Sequence, residues 1–197
     1  MASGELQRSD GRGRAPGISS PAAAARVFLA PPAESDGAEF VSAMLASREL
    51  HRPWLWPPSS DAEFAVMLAR SRQEQFETLL ARRVEDRALV GYFNISNIIR
   101  GALQGAFLGY GAVAAHAGRG YMTEGLMLVL EHAFERLDLH RLEANIQPAN
   151  ARSLALARRC GFQREGFSPR YLRIGGQWRD HERWAIRAEQ WRRLAGR

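Results

Sequence analysis

Ala106-Phe107-Leu108-Gly109-Tyr110-Gly111-Ala112-Val113 is followed by His116-Ala117-Gly118-Arg119-Gly120-Tyr121-Met122, and the two stretches read as a strand feeding a glycine-bearing loop. From Gly118 to Leu137 the apolar residues Met122, Leu126, Val129, Leu130, Ala133 and Phe134 recur at helical spacing, so the loop opens a helix. Such a junction suits an anion. Glycines let the backbone turn and approach a ligand, the first-turn N–H groups have no helical partners, and the helix dipole favours negative charge there. Arg119 adds a positive charge. Gly-x-Gly by itself is weak evidence, because a plain turn before a helix also explains it. No Gly-Lys-Ser/Thr closes the loop, and the third glycine and ribose-binding acid of a dinucleotide fingerprint are not in place. What remains is a shorter phosphate cradle.

Working outward, Val27 to Leu29 reads as a first strand ended by Pro31-Pro32. Ser35 or Asp36 caps a helix carrying Phe40, Val41, Met44 and Leu45; Ser60 or Asp61 opens another with Phe64, Met67 and Leu68. Between them lies an aromatic loop, His51-Arg52-Pro53-Trp54-Leu55-Trp56-Pro57-Pro58. Phe76 to Leu80, Leu89 to Ile95 and Ala106 to Val113 form a meander, with Glu85-Asp86-Arg87 as a turn and Ile98 to Gln104 as a longer connection. After the central helix come a strand at Arg141 to Ile146, a helix from Asn150 to Arg159 stopped by Gly161, and a hairpin of Gln163 to Ile174 and Gln177 to Ile186 around Gly175-Gly176. The predicted order is β-α-α-β-β-β-α-β-α-β-β.

A chain of 197 residues with 46% hydrophobic and 24% charged side chains suits one folded domain, expected over 25–191. Residues 1–24 are rich in Gly, Ser, Arg and Pro and are expected to form a flexible tail; 192–197 close the chain, and Arg187 to Arg197 reads as a solvated end. No run approaches the roughly 18 apolar residues of a membrane helix, so no membrane partner is expected. The single Cys160 excludes a disulfide framework and a thiolate-only metal site, and suits a reducing cytosol with the residue as core filler. A net charge of +6 and a pI near 10.5 favour polyanionic partners, either nucleic acid or a phosphate-rich cofactor together with a ribosome-like partner.

The loop Ala117-Gly118-Arg119-Gly120-Tyr121-Met122 is similar to the Gln/Arg-x-x-Gly-x-Gly/Ala pattern of the GNAT acetyltransferases. Leu139 to Asn145, Asn150-Ala151-Arg152-Ser153, Cys160-Gly161-Phe162 and Glu165-Gly166 follow in the family's order. Asn94 to Arg100, Leu108-Gly109-Tyr110, Tyr171-Leu172 and the ending Gly176 to His181 resemble the ribosomal-protein-alanine N-acetyltransferases of the RimJ and RimL type, RimJ most closely, over Val27 to about Trp191. Ala117 and Met122 depart from the pattern, at positions where Gln or Arg and a small residue are usual. The resemblance implies an α+β fold in three α/β/α layers, with a mixed, mostly antiparallel sheet of about seven strands. It implies acetyl-CoA as co-substrate, no metal, and a cytoplasmic monomer or homodimer.

Family membership further implies direct acetyl transfer to an amine, with cofactor contacts at Gly111, Ala112, Val113, Ala117, Gly118, Arg119, Gly120, Tyr121, Met122, Asn150 and Ser153. The oxyanion donor falls at Gly111 to Val113, and the tyrosine that many relatives use as thiolate acid is replaced by Ala157. Ser153 is the candidate acid in its stead, although Asn150 and Ser153 also suit an N-cap and its first turn. His181 and Glu143 are the candidate bases, with Glu165 and Asp180 nearby in sequence; His181 titrates nearest neutrality. An α-amino group, with a pKa near 8, needs less help than a lysine near 10.4, so a protein N-terminus, a ribosomal one above all, is the expected acceptor. A small amine such as an antibiotic or polyamine is the alternative, as is a GNAT-fold binding protein of weakened activity. The aromatic loop and the hairpin from Gly175 to Trp178 are the expected walls of the acceptor groove.

Overall fold

The computed structural model describes residues 25–196, so the expected tail at 1–24 lies outside the described residues, as does Arg197. Seven strands form one sheet in the order β1-β2-β3-β4-β5-β7-β6. They are β1 (Val27–Ala30), β2 (Phe76–Arg83), β3 (Leu89–Ile99), β4 (Gly105–Ala112), β5 (Arg141–Ile146), β6 (Gln163–Ile174) and β7 (Gln177–Arg187). Helices α1 (Gly37–Ala46), α2 (Arg48–His51) and α3 (Asp61–Ser71) follow β1. Helix α4 (Tyr121–Glu131) joins β4 to β5, α5 (Ala151–Arg159) follows β5, and α6 (Ala188–Leu194) ends the chain. Every strand pair is antiparallel except β4 with β5, whose parallel pairing is made possible by the crossover through α4.

Alternation along β3 sends neighbouring side chains to opposite faces and so builds two cores. Phe93 joins Leu126, Val129, Leu130, Phe134, Leu142, Leu154 and Trp184 under α4 and α5. Tyr92 joins Phe40, Met44, Phe64, Leu68 and Val113 under α1 and α3. Ser60 caps α3 as expected, its Oγ accepting from the Glu63 N–H.

Four expectations need adjusting. The central helix starts at Tyr121 rather than Gly118, because Gly118 and Gly120 sit at φ +77° and +86° and hold the chain off the helical path. It also does not run unbroken to Leu137: His132–Arg136 form a wider π turn, closed by Leu137 N–H donating to His132 O. β3 extends through Ile99 across a register shift between Ser96 and Ile99, shortening the predicted connection. The end of the chain from Arg187 is not a solvated tail, since α6 buries Trp191 at 2% exposure with its ring 5.7 Å from that of Phe134. Ala188, Trp191 and Leu194 recur at helical spacing within this basic segment, and burying the indole and Ala188 outweighs several solvated arginines.

Candidate active site

β4 and β5 touch only at their starts, Gly105↔Arg141, Ala106↔Leu142 and Phe107↔Glu143. Beyond that, β4 stays with β3 as far as Gly91↔Ala112, and β5 stays with β7 as far as Ile146↔Glu182. Each strand holds to its outer neighbour, so the two part in a V. The edge facing this gap follows from hydrogen-bond alternation. Gln104 O accepts from Arg141 N–H towards β5, whereas Val113 N–H donates to Val90 O towards β3. Even-numbered residues of β4 therefore turn their amides to the gap: Leu108, Tyr110 and Ala112. Of the expected oxyanion donors Gly111, Ala112 and Val113, only Ala112 is placed to donate. Val113 N–H is spent in the ladder and Gly111 faces the same way, its Cα lying so close under the Tyr92 ring that a Cβ would collide with it.

The far end of β4 leads into the glycine loop. Gly120 is the N-cap of α4 with no side-chain cap, and Thr123 and Glu124 N–H both donate to its carbonyl. The amides of Gly118, Arg119, Gly120, Tyr121 and Met122 donate to no backbone acceptor among the described residues, which leaves the nest of donors an anion requires. Ala117 does not join it through its amide, because that N–H closes a turn on Ala114 O. Met122 contributes backbone only, its side chain packing over Gly91.

Arginines surround the loop. Arg26 donates to Arg119 O at 3.2 Å and to Glu124 at 2.8 Å, with its guanidinium 4.9 Å from the Tyr121 ring centre. Arg83 lies 5.7 Å from the same ring on another approach. Burial, then Arg83 and Arg119, holds His116 below its ordinary pKa, as expected of an imidazole inside a cationic cluster. Neither Arg26 nor Arg83 is legible as a site residue in sequence, since they come from just before β1 and from the end of β2. The residues present thus fit a pyrophosphate: unpaired amides, an open helix N-terminus and the Arg119 guanidinium, with Arg26 and Arg83 close by and already paired, Arg26 with Glu124 and Arg83 with Glu85 and Asp86.

Inside the gap, Asn150 Oδ1 accepts from Ser153 N–H at 3.2 Å, so Asn150 serves as the N-cap of α5. The Ser153 hydroxyl is bound to Tyr110 Oη at 2.7 Å, which ties α5 to the edge of β4. Burial pushes the Tyr110 phenol up to about 12, so the ring stays protonated and polarises its neighbour rather than ionising. Sequence reasoning gave Tyr110 no role; the only signal was its place in Leu108-Gly109-Tyr110. Ala157 is buried and Cys160 is fully buried with its thiol pushed up to about 11, which leaves it inert.

The two candidate bases do not converge. Glu143 pairs across from Ala185, four residues or about 13 Å of strand from His181. Its carboxylate is held by Arg141 Nε at 2.7 Å, and Arg141 also binds Glu165. Glu143 and Glu165 are therefore partners of one arginine at the closed end of the V, not free bases. Burial holds the His181 imidazole below its ordinary value against the opposing pull of Arg179 O and Asp180. Its Nδ1–H donates to Arg179 O at 3.0 Å, so Nε2 carries the lone pair, and Asp180 is occupied by the Arg170 amide. The expected walls do meet: Trp56 lies against Gly175 at the tip of the β6–β7 hairpin, leaving no room there for a Cβ.

The chain is 40% identical over 124 residues to a probable N-acetyltransferase, YjcK, of Bacillus subtilis, covering 63% of this chain and 67% of that one. It is 36% identical over 107 residues to the [ribosomal protein uS5]-alanine N-acetyltransferase of Escherichia coli, over 54% of this chain and 55% of the relative, about half its length. Among solved structures, RimJ of Mycobacterium smegmatis in complex with CoA-disulfide superposes with a TM-score of 0.77 at 30% identity, covering 87% of this chain and 90% of that one. Residues 26–163 match the acetyltransferase (GNAT) domain. A match running from before β1 to the first residue of β6 takes in both parted strands and the glycine loop, and makes this chain a member of that family of N-acetyltransferases.

Proposed function

We propose that the chain transfers the acetyl group of acetyl-CoA to the N-terminal α-amino group of a protein, a ribosomal protein being the leading acceptor. The observation that carries the reading is the V between β4 and β5, with an uncapped glycine loop at the head of α4 and one edge of unpaired amides. Likeness to the uS5-alanine enzyme supports the acceptor class. Acetyl-CoA supplies, when bound, a thioester carbonyl reactive towards a neutral amine.

In this reading the amides from Gly118 to Met122, with Arg26, Arg83 and Arg119, hold the pyrophosphate, and the Leu108–Ala112 edge aligns the pantetheine arm. Ala112 N–H faces the gap, where it can donate to the carbonyl oxygen as charge develops there. Ser153, its hydroxyl polarised by Tyr110, donates a proton to the departing sulfur. His181, neutral at pH 7 with Nε2 unprotonated, receives the proton of the amine. Holding amine and carbonyl in register contributes most of the acceleration, about 7–11 kcal/mol in favourable cases.

The test is an acetyl-transfer assay read by mass spectrometry against peptides beginning with Ala or Ser, the same peptides with a blocked N-terminus and an internal lysine, and spermidine. The chain contains no lysine, which confines self-acetylation to its own α-amino group and keeps the background low. Transfer to the free-N-terminus peptides with kcat/KM about tenfold or more above spermidine is expected. The reverse order refutes the acceptor, and no transfer to any of them refutes the activity.

A further inference from the structure

The aromatic stretch that begins at His51, the last residue of α2, is bolted to both arms of the V. His51 is buried at 2% exposure, and its Nε2–H donates to Ala112 O at 2.7 Å. That carbonyl belongs to the edge of β4 facing the gap, where a neighbouring strand would normally supply the donor. β5 has turned away, and the imidazole takes its place. Nδ1, left with the lone pair, is buried with no partner among the described residues, a cost accepted for the sake of the Nε2 bond. Burial keeps this ring neutral, as that tautomer requires. One helical turn earlier, Ser47 at 1% exposure accepts the Ala114 N–H at 2.8 Å and donates to Ala43 O at 2.7 Å.

The other arm is held from β5. Gln147, the residue after that strand and 8% exposed, donates through Nε2 to Trp54 O at 3.1 Å. The two anchors are not independent: Trp54 and Leu55 N–H both donate to His51 O, at 2.8 and 3.0 Å, so a closed turn joins them. Beyond it, Trp56 rests on Gly175 of the hairpin tip. A rigid turn thus spans from the end of β4 to the end of β5 at the open mouth of the V.

We propose that His51 and Gln147 are positioning residues that fix the width of the V through this strap, and so set the distance between the donor edge at Ala112 and the arriving amine. This rests on the acetyl-transfer reading for its catalytic consequence and not for its geometry. Both act through Ala112 O and Trp54 O rather than on substrate, so loss of either bond should spoil alignment more than cofactor affinity.

The test compares His51→Leu, His51→Gln and Gln147→Met for kcat, acetyl-CoA KM and amide hydrogen exchange. His51→Leu and Gln147→Met are expected to lower kcat about tenfold or more with acetyl-CoA KM changed less than about threefold, and to speed exchange at Trp54 and Leu55. His51→Gln, whose amide reaches Ala112 O as Nε2 does, is expected to keep about a third or more of kcat. If His51→Leu does not fold, Gln147→Met decides. Wild-type kcat and exchange in Gln147→Met, or a His51→Gln no better than a folded His51→Leu, overturns the proposal. Exchange separates the two readings: a wild-type chain that transfers nothing, but whose strap loosens in the variants, keeps the strap and loses the acetyl transfer.

Discussion

The two mouths of the V are made of different material. On the side proposed for the cofactor the surface is backbone: amides of Gly118 to Met122 and the even-numbered edge of β4, with arginines ranged around them. On the side proposed for the acceptor it is side chain: His51, Gln147, Trp56, His181 and the pair Tyr110–Ser153, several of them buried and each committed to a specific partner. A backbone site tolerates change in most side chains provided the path of the chain survives, which is why Ala117 and Met122 depart from the family pattern at little geometric cost. A side-chain site has no such slack. Substitutions should therefore act on affinity at one mouth and on turnover at the other.

The largest effect is expected where a side chain invades the backbone cradle. Gly120 sits at φ +86°, and a Cβ there would lie 3.1 Å from the Arg26 guanidinium. Gly120→Asp adds a carboxylate where the helix dipole and free amides await an anion. Acetyl-CoA affinity by calorimetry should fall about a hundredfold or more, close to 2.7 kcal/mol. Unchanged affinity would remove the loop from the site.

At the other mouth, Ser153→Ala should lower kcat about tenfold while acetyl-CoA KM moves less than about threefold. Tyr110→Phe should do nearly the same, and the double variant should add little, because the two hydroxyls act as one unit. Independent, multiplicative losses would mean that they do not. If KM rises instead, Ser153 belongs with the cofactor contacts and the contrast between the mouths weakens.

The acceptor side should also respond to acid. His51 and His181 are both held below their ordinary values chiefly by burial, so just below pH 6.5 the unfolded chain binds more protons than the folded one. Stability from these rings is present above that pH and is lost as pH falls towards their folded values. Melting temperature should drop between about pH 7 and pH 5, and His51→Gln should flatten the slope. An unchanged slope would take His51 out of the buried, neutral state that its bond to Ala112 needs.

The same division decides what the sequence could disclose. The strand, glycine loop and helix from Ala106 to Phe134 were readable because backbone sites leave their mark as glycines and periodicity, and the seven strands followed from alternation. His181 stood out as a base by its ordinary pKa, but Glu143 stayed a candidate beside it, because nothing in linear order says that Arg141 holds that carboxylate while burial keeps the His181 ring neutral. The tie between His51 and Ala112 spans 61 residues, and the tie between Trp54 and Gln147 spans 93. Neither has a local signature. Trp191 was missed for a related reason: burial of one aromatic on a basic segment depends on Phe134, which lies on the far side of β5 in the chain.

The smallest expected effect probes the cofactor mouth at its most conspicuous charge. Arg119 stands between the two loop glycines and was the cation to expect from sequence, yet its backbone carbonyl is already used to receive Arg26. Removing one of three guanidinium groups leaves Arg26 and Arg83 around the same ring of Tyr121, and all five amides in place. Arg119→Ala should therefore weaken acetyl-CoA binding only about two- to fivefold, the scale of one solvent-screened charge. Binding should weaken further as salt is raised, and less steeply than in the wild type, since one fewer cation is screened. A loss rivalling that of Gly120→Asp would mean that a side chain, not the backbone, carries the pyrophosphate, and the two mouths would then be built alike.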